Sequence, residues 1–238
     1  MNYAEIYKRV MPEKKEREER FNIFAHYVGR PLSILMTIPL IERKTKPTTI
    51  TKFSLASLIV GFILVAFGNS TFIRIIGWLF FFIWNLLDGV DGNLARCTNQ
   101  CSQNGDLWDT TVGYCAMIAT YYSAGIAAFY DRNLFSICGS HWYIIFGGYT
   151  AIIAILPRLV LHKKKSSCGD SDSVRAFSNK EGFGIKEIIA MNFISPSGFM
   201  QVIFLSAIML HTLSIYTIVY AVINTAIMVI TLYRLLEE

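Results

Sequence analysis

Four aspartates fall between positions 88 and 109 of this 238-residue chain. The first segment reads Asp88-Gly89-Val90-Asp91-Gly92-Asn93-Leu94-Ala95-Arg96, and after eight residues the second reads Gly105-Asp106-Leu107-Trp108-Asp109. On a helix Asp88, Asp91 and Ala95 stand at i, i+3 and i+7 and share a face, and Asp106 and Asp109 repeat the i, i+3 relation. Two antiparallel helices joined by a short turn would gather these carboxylates. Aspartate oxygens without His or Cys suit a hard cation such as Mg²⁺, Mn²⁺ or Ca²⁺, and suit zinc poorly. Gly92, Ala95 and Gly105 leave the same face bare, so a nucleotide or pyrophosphate can lie against the backbone. Arg96 adds a permanent cation with a bidentate fork for phosphate. A metal ion together with Arg96 would neutralise the charge that develops on a departing nucleoside phosphate.

The elements that must position these residues are membrane helices. Hydrophobic residues make up 53% of the chain and charged residues only 16%. A run of about 20 apolar residues crosses the ~30 Å of hydrocarbon, and six candidates occur, at 50–68, 71–88, 107–130, 142–161, 197–212 and 213–235. The fifth is short, with Ser195, Pro196, Ser197 and Gly198 at its start. The expected class is therefore an all-α integral membrane protein with six transmembrane helices. Residues 1–47 form a separate cytoplasmic and interfacial segment, and residues 48–238 form the membrane domain. In that N-terminal segment a mixed-charge stretch from Pro12 to Arg20 precedes an apolar piece interrupted by Gly29, Pro31 and Pro39. The pattern predicts an amphipathic helix in the interface, with Phe21, Phe24, Tyr27 and Leu32 in lipid and Arg20 and Arg30 at phosphate level.

Basic residues set the orientation, because short Lys- and Arg-rich loops stay cytoplasmic. Lys14, Lys15, Arg17, Arg20, Arg43, Lys44 and Lys46 precede the first span, and Lys163 to Lys165, Arg175, Lys180 and Lys186 follow the fourth; the opposite side carries Arg74 and Arg132. Both termini and the aspartate-rich turn are thus expected in the cytoplasm. The net charge of +5 is accounted for by topology and anionic lipid, with no nucleic-acid partner. An ionised group near hydrocarbon is costly and marks function, and here the acids collect at one surface. That placement argues against an ion-relay transporter, which would carry them mid-span.

The spacing Asp-x-x-Asp-Gly-x-x-Ala-Arg, eight residues, then Gly-x-x-x-Asp resembles the signature of the CDP-alcohol phosphatidyltransferase family. Arg30-Pro31-Leu32-Ser33 and Lys46-Pro47-Thr48-Thr49-Ile50-Thr51 are similar to the segments that lead that family into the membrane. The resemblance implies a six-span membrane enzyme, often a homodimer, with a cytoplasmic-side Mg²⁺ or Mn²⁺ site that holds two ions. Such enzymes transfer a substituted phosphate from a CDP-linked donor to an alcohol and release CMP. It implies that Asp88, Asp91 and Asp109 hold metal and carry catalysis, that Gly92, Ala95 and Gly105 face the CDP moiety, and that Arg96 is the motif arginine. The family pattern ends on a further aspartate, assigned to the second metal and to the acceptor proton, and Gly113 stands there in this sequence. Asp106 lies about 10 Å from that position along a helix. His162, at the cytoplasmic end of the fourth span, is the other candidate base. A family member that binds nucleotide or lipid without turnover is the alternative.

Other residues carry weaker signals. Arg158 either binds an acceptor or lipid phosphate or snorkels as a topology anchor. Cys97 and Cys101 stand at i, i+4 without two further converging ligands, which reads as reduced thiols rather than zinc. Trp84, Trp108 and Trp142 lie near predicted span ends, where interfacial indoles belong.

Overall fold

The computed structural model describes residues 1–12, 16, 22–131, 140–168, 192–195 and 198–236. The expectations resting on Lys14, Lys15, Arg17, Arg20, Phe21, Arg132, Arg175, Lys180, Lys186, Pro196 and Ser197 lie outside the described residues.

Helix α1 (Tyr3–Val10) opens on a capping box. Asn2 accepts from the Glu5 amide, and Glu5 accepts from the Asn2 amide, which satisfies donors that a helix start leaves orphaned. A π-helical turn at Ala25–Gly29 runs directly into α2 (Arg30–Glu42). Here the expectation of an interrupted segment is corrected. Pro31 falls where the π-helical turn passes into α2, and the helix runs on through Pro39 to end one turn later. Phe24 also departs from its expected lipid contact, packing edge-on against Phe82 at 6.2 Å and beside Phe199 at 6.3 Å. Tyr27 and Leu32 do face outward.

Among the described residues five helices are long and apolar enough to cross a membrane, and the protein is a multi-pass membrane protein. They are α3 (Pro47–Phe67), α4 (Thr71–Thr98), α5 (Gln103–Tyr130), the Trp142–Lys164 part of α6 (Trp142–Cys168) and α8 (Leu213–Leu236). Where a fifth span is expected the structure has α7 (Met200–Met209), whose 10 residues rise only ~15 Å and which is not among the helices long enough to cross. It ends in a turn where His211 takes a left-handed conformation, φ 55°.

Helices α4 and α5 each run 28 residues, about 42 Å at the helical rise, so both outlast the hydrocarbon. The predicted spans 71–88 and 107–130 cut them short, because hydropathy falls where polar motif residues begin although the helix continues. Trp84 therefore sits well inside α4 and is 3% exposed in the core, not at an interface. That core gathers Phe81, Met117, Tyr121, Met200, Phe204, Tyr216 and Tyr220. Helices α5 and α6 meet backbone to backbone at Gly125 and Gly147, where a Cβ on Gly147 would lie 2.9 Å from the Gly125 Cα. Small residues allow such close approach between membrane helices.

At the end of α4 remote from the aspartates, Arg74 is not a loop anchor. Its side chain is buried, pairs with Asp131 at 3.2 Å and donates to the Gly68 carbonyl at 3.1 Å. His211 Nδ1 also meets Asp131 at 3.0 Å, and Nε2 meets the Thr71 hydroxyl at 3.1 Å. This network ties the ends of α3 and α5 to the start of α4 and to the α7–α8 turn.

Candidate active site

The turn between α4 and α5 brings the two motif halves together. Asn99 closes α4 in the left-handed conformation, φ 56°, one that Asn tolerates better than most residues. Three residues later Ser102 starts α5 by accepting from the Gly105 amide at 3.1 Å. From outside, Arg9 of α1 donates to the Asn99 side chain at 3.0 Å. Ile6 and Val10 meanwhile bury themselves against Ile34 and Cys97. The N-terminal helix thus packs on the outer end of the motif helix.

The carboxyl groups of Asp88 and Asp109 lie in hydrogen-bonding contact across the α4–α5 interface. Asp91, 5% exposed, accepts from the Thr51 hydroxyl at 2.6 Å. Arg96 lies over Gly92, where a Cβ would come to 3.4 Å from Nη1, so the missing side chain gives the guanidinium its place. Asp91, Gly92, Ala95, Arg96, Gly105, Asp106 and Asp109 line one cavity of about 320 Å³. This lies at the lower end of the range for small-molecule sites. Lys46, Thr48 and Thr51 from the start of α3 form its opposite wall.

Two sequence candidates fall elsewhere. Arg158 lines a separate cavity of about 210 Å³ with Met117, Ile194 and Asn224. His162 packs edge-on against Tyr114, ring centroids 6.0 Å apart, and lines neither cavity. Gly113 faces open space, with no atom within 4 Å of a Cβ built there. The cysteines also part ways: Cys97 is buried beneath α1 and Cys101 lines the aspartate cavity.

Sequence reasoning misses the polar support behind the motif. Asn93, fully buried, donates to Ser33 at 3.4 Å and to Thr37 at 3.3 Å, and its Oδ1 accepts from Arg30 Nη1 at 3.3 Å. Thr51 stands out in the sequence only as part of the segment leading into the membrane. Neither residue carries a local signature, since their partners come from distant stretches of chain.

For a divalent cation the donor chemistry fits. The anionic donors gathered there are carboxylates, and two of them in contact favour a cation between them. Among the described residues no three such side chains are yet gathered around one point, with Asp91 turned to Thr51. Asp88, Asp91 and Asp109 are the residues that would hold the ion.

No curated protein matches the chain. The family model for CDP-alcohol phosphatidyltransferase matches residues 44–233, from the residues just before α3 into the last turns of α8. That range takes in both motif halves and the Lys46–Thr51 wall of the cavity, and the chain belongs to the CDP-alcohol phosphatidyltransferase family.

Proposed function

We propose that this protein transfers a substituted phosphate from a CDP-linked donor to an alcohol acceptor and releases CMP. The observation that carries this reading is the single cavity where Asp91, Asp109 and Arg96 meet the bare faces of Gly92, Ala95 and Gly105. Family membership supports phosphotransfer in lipid biosynthesis. A diphosphate lying on Gly92 would meet the Arg96 guanidinium, and Lys46 on the facing wall adds a second cation for the nucleotide. The acceptor oxygen bonds to the phosphorus distal to cytidine, the bridging P–O bond breaks, and the electron pair leaves with CMP. Bound Mg²⁺ or Mn²⁺, held by Asp88, Asp91 and Asp109, would supply positive charge for the diphosphate. The acceptor's proton goes to a base that Asp106→Asn and His162→Asn variants would distinguish.

On the same reading the site and both termini lie on the cytoplasmic face, following the basic residues. Helix α7 is then a short sixth crossing, and α2 is the interfacial helix. Pairing into homodimers belongs to the same reading and is measured by crosslinking in lipid.

Gly113 favours a second reading, in which the cavity binds CDP without turnover. Purified protein in lipid with Mn²⁺, CDP-diacylglycerol or a CDP-amino alcohol, and a panel of alcohols tests both. CMP release establishes the first reading. CDP binding without release establishes the second, and absence of both sinks them together.

A further inference from the structure

The acidic cavity has an arginine at its back that the proposed transfer does not use. Arg30 opens α2, and α2 approaches α4 so closely that a Cβ on Gly89 would lie 3.0 Å from the Ser33 Cβ. The approach is locked by Asn93, which accepts from Arg30 at 3.3 Å and donates to Ser33 and Thr37. Held this way, Arg30 lies within electrostatic reach of Asp88. Arg96 is placed differently, over Gly92 and in the cavity.

We propose that this site holds one divalent cation, with the Arg30 guanidinium as the fixed positive charge that stands in place of a second. The inference rests on the metal-dependent reading above and deepens it. Four carboxylates, on Asp88, Asp91, Asp106 and Asp109, lie within electrostatic reach of one another. One divalent ion together with the Arg30 and Arg96 guanidiniums neutralises these four carboxylates. A second ion would need oxygen donors of its own. One helical turn beyond Asp109, where a further carboxylate would supply them, the chain offers Gly113 and open space. A second divalent ion would also lie near a guanidinium that cannot give up its charge.

The test is Mn²⁺ stoichiometry on the full chain in lipid nanodiscs, read calorimetrically and from the electron paramagnetic resonance signal of free Mn²⁺, with and without CDP. One Mn²⁺ per chain is expected. Two per chain overturns the inference and leaves the proposed transfer standing, whereas none in either condition overturns the metal-dependent reading itself. Gly113→Asp has room for its side chain and is expected to raise the count to two; a count that stays at one overturns the account of why the second ion is missing. Arg30→Met removes a charge that repels the ion and is expected to tighten Mn²⁺ binding by about tenfold, with Arg30→Lys close to wild type. Unchanged affinity in a folded Arg30→Met protein overturns the role given to Arg30. If that variant does not fold, the wild-type and Gly113→Asp counts still decide the stoichiometry.

Discussion

The hydroxyl of Thr51 donates a 2.6 Å hydrogen bond to the carboxylate of Asp91, which follows it by 40 positions in the chain. The first membrane helix therefore orients a site residue of the second. Hydrogen bonds behind a ligating carboxylate fix its direction, and losing one typically costs ten- to a hundredfold in metal affinity or activity. Thr51→Val is expected to lower CMP release by roughly tenfold or more, with Thr51→Ser retaining most of it. Steady-state assays at saturating Mn²⁺ check this. Equal loss in both variants would remove the hydroxyl from the account.

Gly92 gives a second prediction, because its absent side chain is where Arg96 lies. The nearest atoms to a side chain built there are those of the Arg96 guanidinium, so a valine would crowd it on the floor of the cavity. The expected result is a fall in kcat/KM for the CDP-linked donor on the order of tenfold to a hundredfold, with thermal stability little changed. Donor titrations beside a melting curve check it, and a variant that melts early instead would assign Gly92 to packing.

Asp106 and Asp109 line the same cavity but do not share a role. Asp109 touches Asp88, while Asp106 lies in the first turn of α5 and reaches Asp109 only through its charge. Asp109→Asn is expected to lower CMP release by roughly a thousandfold, the scale of losing a preorganised electrostatic group. Asp106→Asn should cost under about tenfold, since Asp106 is not among the carboxylates that would hold the ion and acts on them only through a screened charge. Comparable losses would place the acceptor's proton on Asp106.

The motif halves are legible in the sequence because their chemistry is local. Asp88, Asp91, Gly92 and Arg96 announce themselves by type and spacing on one helix, and their partners follow across one turn. Thr51 and Asn93 are not legible, because a hydroxyl or amide becomes meaningful only through a partner that the fold supplies. Hydropathy finds the apolar runs but not where helices end. It stops α4 at Asp88 and so sets Trp84 at an interface, and it lengthens α7 across the turn that contains His211. Counting basic residues does not separate Arg74, bound to a buried carboxylate, from a cation facing phosphate.

Arg74 carries the last prediction. Its pair with Asp131 is shielded on both sides, with side-chain exposures of 7% and 5%, whereas the His211 side chain on the same carboxylate is 46% exposed. Removing one member of a buried ion pair leaves the other charge desolvated, which costs about 3–5 kcal/mol, while a solvent-screened contact contributes about 0–1 kcal/mol. Arg74→Met should therefore destabilise the bundle strongly and His211→Ala only slightly, as read by thermal unfolding in detergent. CDP binding at the far end of α4 should survive in whatever fraction of the Arg74→Met protein remains folded. A selective loss of CDP binding at unchanged stability would instead couple the two ends of the helix. Asp131→Asn with Arg74→Met together should recover part of the stability, because the double change removes both buried charges.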